Sequence, residues 1–238
     1  MWLVADYEAS TLFSLKPATA TASGGKTLLV PTPFAIKMAL LDAACRLEGR
    51  DRAAQAWDGW LAGLTVALRP ARDVVVNNTF IKVLRPRRTP AAPGARHAGY
   101  FQQTISYREY VQWAGTLGIG LELTEQAEAD RLARWLLHIN YLGKRGSFVQ
   151  VAAWPHAVDE LPDGYIVVNG NLAGMSLDAV LTQLDDVGEG LTFAHADVFS
   201  EKTISLGKHR VLRHVALPYR LVASSRGYSH YRLIEENW

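Results

Sequence analysis

The sequence predicts an α+β fold in which a strand, a buried helix, further strands, a second helix and a closing strand share one core. Three observations point there. Residues 2–15 carry alternating apolar positions (Leu3, Ala5, Tyr7), the pattern of a half-buried strand. Residues 33–47 read as a capped and largely apolar helix. A second amphipathic helix near 125–140 follows several Val-, Ile- and Tyr-rich strands and precedes another strand at 148–154. A chain of 238 residues, 49% hydrophobic and 20% charged, is long enough to bury a sizeable core.

After the first strand, residues 16–25 are rich in Pro, Ala, Thr, Ser and Gly and read as a loop. Thr32 is placed to accept a bond from an orphan helix N–H, and Pro33 sits at the first helical position, where its missing N–H costs nothing. Phe34, Met38, Leu41 and Cys45 line one stripe of this helix, and Ile36, Leu40 and Leu47 another. Only Lys37, Asp42 and Arg46 interrupt the apolar surface, so the helix should lie against a sheet. Gly49 is a natural stop. Residues 51–61 suggest a second short helix with Ala54, Trp57 and Leu61 on one face.

Residues 64–68 and 73–84 have strand character. From 85 to 98, Pro86, Pro90, Pro93 and Gly94 stand among arginines, which predicts a basic loop unable to pair in a sheet. Strand character returns over 99–110, so a hairpin should project at about 80–110. Residues 118–124 form a short strand. Thr124 then caps a helix with Glu125 and Glu128 in its first turns and Leu132, Trp135, Leu136 and Ile139 along its apolar stripe. A glycine-bounded basic turn at 141–147 leads into the strand at 148–154, in which Phe148 is expected in the core. The order is the β-α-β-β-α-β of a ferredoxin-like (RRM-like) domain. Residues 155–162 read as a linker. Short strands at 165–168, 209–217 and 230–234, with a helix at 177–184, then make a smaller β-rich part. The expected division is 1–155 and 156–238.

Net charge is only +2, but its distribution is uneven. No acid lies between Asp73 and Glu109, where Lys82, Arg85, Arg87, Arg88, Arg96 and Arg108 fall. None lies between Glu201 and Glu235, a stretch carrying seven Lys and Arg. Residues 159–201 reverse the sign, with nine acids and no Lys or Arg. Such blocks suggest a polyanion-binding face, with the acidic block facing away or toward a partner. The single cysteine, Cys45, excludes an intrachain disulfide and reads as a small core residue. The N-terminus lacks the pattern of a signal peptide, and no apolar run is long enough to span a membrane. An intracellular, cytoplasmic protein with no membrane partner is expected.

Four constellations stand out. Gly24-Gly25-Lys26-Thr27 imitates part of a phosphate-binding loop. The motif's first glycine falls on Ala20, however, and Pro31 and Pro33 preclude a helix starting at Lys26, so a basic loop beside a nucleic-acid backbone fits better. In Tyr141-Leu142-Gly143-Lys144-Arg145-Gly146-Ser147-Phe148, the glycines allow close approach of a ligand, Lys144 and Arg145 supply cations, Ser147 a hydroxyl and Tyr141 a stacking face. The basic hairpin offers Arg85, Arg87, Arg88 and Arg96 as phosphate partners and Tyr100 and Phe101 as wedges between bases. In Ser106-Tyr107-Arg108-Glu109-Tyr110, Arg108 and Glu109 should point to opposite faces of a strand and form no simple pair. Little acid–base chemistry is assembled: no histidine precedes His97, and no metal-ligating His or Asp cluster occurs. No catalytic residue, metal or cofactor is predicted.

The N-terminal strand, the Gly-rich break and the helix Pro31-Thr32-Pro33-Phe34-Ala35-Ile36-Lys37-Met38-Ala39-Leu40-Leu41-Asp42-Ala43 resemble the start of CRISPR-associated proteins of the RAMP superfamily. The resemblance covers residues 1–50 and 141–148, extends to 80–110, and is to the subunit that holds the five-prime handle of the guide RNA in type I interference complexes (Cascade). It implies a ferredoxin-like core with an inserted hairpin thumb that grips the guide. It also implies a place capping the backbone subunits, contact with the large subunit, and an indirect relation to target DNA. The RNA-contacting set becomes Lys26, Lys37, Arg85, Arg87, Arg88, Arg96, Tyr100, Phe101, Arg108, Tyr141, Lys144, Arg145 and Ser147. Two alternatives remain: a metal-independent endoribonuclease that processes repeat RNA, recruiting Tyr141 with Lys144 or His97, and a ferredoxin-like interaction module that binds no nucleic acid.

Overall fold

The computed structural model describes residues 1–20, 25–123, 128–170 and 178–234. In chain order its elements are β1 (Trp2–Ala9), α1 (Pro33–Glu48), α2 (Arg50–Gly59), a 3-10 turn (Leu61–Gly63), β2 (Val66–Arg69), β3 (Asp73–Ala91), β4 (Gly99–Ala114), β5 (Leu117–Glu122), α3 (Ala129–Leu137), β6 (Val149–Val158), β7 (Ile166–Val167), β8 (Val180–Val187), α4 (Phe193–Ala196), β9 (Arg210–Leu217), β10 (Tyr219–Ser224) and β11 (Tyr228–Leu233).

The protein is α+β with antiparallel sheets. The first sheet has the order β6-β1-β5-β2-β7, which without β7 is the 4-1-3-2 order of a ferredoxin-like fold. Helices α1, α2 and α3 pack on one face. Leu117, Ile119 and Leu121 of β5 point into that layer and are fully buried. On the opposite face Tyr165 lies so close over Gly118 that a Cβ there would stand 2.4 Å from its hydroxyl, so only glycine fits.

Helix α1 forms as its sequence dictates. Thr32 Oγ1 accepts from Ala35 N at 3.1 Å, and Gly49, at φ 87°, closes the helix by donating to Cys45 O. Ile36, Leu40, Leu41, Ala43 and Ala44 are buried, while Cys45 is half-buried. The expected helix cap at Thr124 and the residues through Glu125 lie outside the described residues.

The second sheet, β10-β11-β3-β4, grows from the insertion between β2 and β5. Here the structure corrects the sequence. Instead of breaking at Arg85, β3 continues to Ala91, with Arg85 opposite Gln102 and Pro86 opposite Phe101 before the register shifts to Ala91 opposite Gly99. Beyond Asn78, β3 has a paired neighbour among the described residues only in β4, and an edge without a partner tolerates prolines. Residues 87–90 have no partner in this register, so the expected loss of pairing holds over 87–90 and 92–98.

Three further corrections concern the second half. The expected linker at 155–162 is strand as far as Val158, paired with Trp2–Val4 of β1. Pro155 sits where two residues of β6, Trp154 and Pro155, face one of β1, Ala5, a bulge that absorbs the missing donor. The expected helix at 177–184 is strand β8 from Val180. It pairs residue for residue with β9, and within it only Leu184, Asp185 and Asp186 are buried. A short apolar run does not by itself distinguish strand from helix. Phe148 is 46% exposed rather than in the core.

Residues after 155 add β7 to the first sheet and β10 and β11 to the second. Leu184, Leu191, Val215, Leu217 and Tyr219 join the same buried cluster as Leu3, Leu40 and Trp135. Much of the acidic block is spent internally: Asp186 on Lys37, Asp185 on Arg210, Asp197 on Arg50. Among the described residues no helix is long and apolar enough to cross a membrane.

Candidate nucleic-acid interface

Past the body, β3 and β4 form a two-stranded ribbon that, among the described residues, pairs only with itself. Residues directly opposite in an antiparallel pair share a face, so the register sorts the ribbon's side chains. Phe80, Lys82, Leu84 and Pro86 share one face with Tyr107, Ile105, Gln103 and Phe101. Ile81, Val83 and Arg85 share the other with Ser106, Thr104 and Gln102. Within the body the first face carries the buried Val74, Val76, Val111 and Trp113. The ribbon thus prolongs the core-facing surface into solvent, where Phe80, Leu84, Phe101 and Ile105 are 58–73% exposed.

Arg85, Arg88 and Arg96 are exposed, Arg87 is half-buried, and Tyr100 and Phe101 are open to solvent. Lys82, Arg85, Arg87, Arg88 and Arg96 have no acidic partner among the described residues. With these cations and no acid on the same stretch, the ribbon presents a positive potential.

At the base of the ribbon the Gly-Lys-Thr segment lies along the edge of β4. Gly25 O accepts from Glu109 N at 2.7 Å, and a Cβ on Gly25 would stand 2.1 Å from Tyr107 O. Lys26 Nζ pairs with Glu109 Oε1 at 2.7 Å, and Thr27 N donates to Glu109 Oε2 at 2.9 Å. The Tyr107 hydroxyl donates to the same carboxylate at 2.8 Å. The Glu109 bond raises the Lys26 pKa, and burial raises that of Tyr107. Lys26 is 71% exposed and remains available to a ligand, although its charge is matched. Glu109 is a partner that sequence reasoning missed, because its clamp spans 82 residues. Arg108 points away from it, half-buried, as the alternation of a strand requires.

The glycine-bounded turn is tight: Ser147 N donates to Lys144 O at 3.0 Å, and Tyr141 bridges Phe148. Gly143 and Gly146 take φ of 70° and 97°, which only glycine adopts without strain. Lys144 and Arg145 are exposed, Tyr141 is half-buried, and neither cation has an acidic partner among the described residues. Lys144 also lines a cavity of about 340 Å³ with Lys16, Arg210 and the first turn of α1. The turn is tied to the ribbon base through the first segment: Ser10 N bonds Phe148 O, Thr11 Oγ1 donates to Gly146 O, and Phe13 bridges Val111 of β4.

Two residues leave the predicted set. Lys37 is 2% exposed, and its ammonium is held by Asp186 Oδ1 at 2.8 Å and Ala62 O at 2.9 Å, so it reaches no external ligand. Burial lowers its pKa against the opposing pull of Asp186. Ser147 is 3% exposed and contributes to the turn's backbone rather than to its surface. The exposed Phe80, Leu84 and Ile105 carry no mark in the sequence beyond ordinary strand composition. Their signal is the register about the tip, which places them on one face. No cluster of three or more His, Cys, Asp or Glu is placed to hold a metal among the described residues.

No family profile and no curated protein matches the chain. Among solved structures it is similar to a chain of a "CRISPR RNA-guided surveillance complex", at 18% identity and a TM-score of 0.47, covering 91% of this chain and 90% of that one. It is also similar to a CRISPR protein from Archaeoglobus fulgidus, at 14% identity and a TM-score of 0.40, covering 99% and 92%. A structure described as a Cas protein aligns at 20% identity and a TM-score of 0.36, covering 91% and 94%.

Proposed function

We propose that the protein is a non-catalytic, cytoplasmic RNA-binding subunit of a type I CRISPR interference complex, holding the five-prime handle of the guide RNA and capping the complex's backbone. One observation carries this reading: a projecting ribbon whose five cations lack acidic partners among the described residues and whose exposed aromatics flank them. Guanidinium forks match phosphate geometry, and Tyr100 and Phe101 offer faces on which bases stack. Lys144 and Arg145 supply a second cationic point, joined to the ribbon base by hydrogen bonds through residues 10–13. The apolar face of the ribbon suits the backbone and large subunits of the assembly.

The test is titration of labelled repeat-handle RNA at several salt concentrations, with the products run for cleavage. Wild-type protein should bind intact RNA in a salt-dependent manner. Changing Arg85, Arg87 and Arg88 together to Ala should flatten the log–log salt slope by about 2, since each phosphate that a single strand no longer has neutralised accounts for roughly 0.7. Cleaved RNA would favour the endoribonuclease alternative, and binding insensitive to salt would overturn the proposal.

A further inference from the structure

We infer that the outward face of the second sheet carries another phosphate site, built by Arg72, Arg220 and Arg232 around Asp73, which holds the backbone of the same RNA strand away from the ribbon tip. The inference rests on the RNA-binding reading and extends it to a surface in the C-terminal half.

The register puts Arg220 of β10 directly opposite Arg232 of β11, and Arg232 directly opposite Asp73 of β3. All three side chains therefore emerge on one face, away from the buried Val74 and Val76. Asp73 Oδ1 accepts from Arg232 Nε at 2.8 Å and meets His230 Nε2 at 2.7 Å, while Oδ2 accepts from Arg72 Nε at 3.0 Å. One carboxylate thus faces two guanidiniums and an imidazole. Arg220 is exposed and has no acidic partner among the described residues.

Like charges directly opposite on neighbouring strands destabilise a sheet. Arg220 and Arg232 are such a pair, and the only acid beside them among the described residues is already shared. An anion bridging the guanidinium forks removes the repulsion, and a phosphodiester matches their geometry. Asp73 keeps Arg232 and Arg72 in place rather than neutralising the site. Beyond the row of Val75, His230 and Gln112, Tyr228 and Tyr110 flank Asn77 on the same face, so aromatic rings share the surface with the cations at a spacing of roughly 13 Å along the strands. Such pairing of cations with stacking surfaces suits a single strand.

Arg220→Glu is the decisive variant, because the Arg220 side chain makes no bond within the described fold and a glutamate there faces Arg232. The thermal midpoint should hold or rise. Handle-RNA affinity should fall about tenfold at low salt, and the log–log salt slope should flatten by about 0.7, the share of one phosphate. Arg220→Lys should recover most of the slope. If wild-type protein binds RNA and Arg220→Glu changes neither affinity nor slope, this site is overturned while the ribbon reading stands. If Arg220→Glu weakens binding and the triple ribbon variant does not, the ribbon reading fails and this site stands. Absence of RNA binding by wild type overturns both. Competition by polyglutamate as effective as that by polyuridylate, at equal charge, would mark an acidic polypeptide as the ligand and overturn the phosphate assignment.

Discussion

Asp73 draws three donors to one carboxylate, and Arg232, with help from His230 and Arg72, holds its pKa down at about 2 against an ordinary value of 3.8. A carboxylate depressed in the folded state contributes stability that is complete above its unfolded value and is lost as pH falls through its folded value. The contribution of Asp73 should therefore disappear between about pH 4 and about pH 2. Urea midpoints measured across that window should fall steeply for wild type and less steeply for Asp73→Asn. At pH 7 the variant should be weaker by about 1.5–3 kcal/mol, the range for hydrogen bonds to charged groups. The buried pair Lys37–Asp186 behaves differently, because both ions are out of water. Asn169 Nδ2 donates to the second carboxylate oxygen of Asp186 at 3.0 Å, so removal of the lysine leaves a partly satisfied but uncompensated anion. Lys37→Met should cost about 3–5 kcal/mol, and adding Asp186→Leu should return much of it, since a buried pair is expensive mainly when halved. A double-mutant cycle in urea measures both steps.

At the scale of elements, the legible parts are those specified by local chemistry. Thr32, Pro33 and Gly49 fix both ends of α1 without help from any distant residue. The alternation of Leu3, Ala5 and Tyr7 marks β1. Decisions made by distant partners are not legible. Pro86 and Pro155 signal breaks locally, yet one lies on a ribbon edge without a partner among the described residues and the other at a bulge against β1. The run 180–187 is strand because β9 pairs with it residue for residue. Among the site residues, exposure of Lys144 and Arg145 follows from their glycine-bounded turn, whereas burial of Lys37 depends on Asp186, 149 residues away. The ribbon's independence gives a prediction for the element as a whole. Among the described residues, 82–105 pair only with each other, so replacing them with an Asn-Gly turn should change stability by less than about 0.5 kcal/mol. RNA affinity should drop together with the salt slope. A large loss of stability in the shortened chain would mean that the ribbon supports the body after all.

For the whole molecule, the question is whether the stretch after 155 is an appendage or part of one cooperative unit. Its contacts with the first half are specific, and most of them are buried. Trp57 Nε1 donates to Leu191 O at 3.0 Å, Phe193 N donates to Asp58 at 2.8 Å, and the Tyr219 hydroxyl donates to Ala71 O. Burial raises the Tyr219 pKa far above its ordinary value, as expected for a phenol sealed between layers. A chain ending at residue 155 would keep the four strands of the ferredoxin-like order but cut β6 at its bulge, since residues 156–158 complete its pairing with β1. The cut would leave Lys37 charged without Asp186 and strip the buried faces of α1 and β3 of Leu184, Leu217 and Tyr219. Each loss belongs to the class that costs several kcal/mol, against a total stability of about 5–15 kcal/mol for a domain. The full chain should therefore unfold in one urea transition, with far-ultraviolet dichroism and the fluorescence of the buried Trp57, Trp113 and Trp135 coinciding. The 1–155 piece should show no cooperative transition, and two resolved transitions in the full chain would instead establish a C-terminal unit that folds by itself.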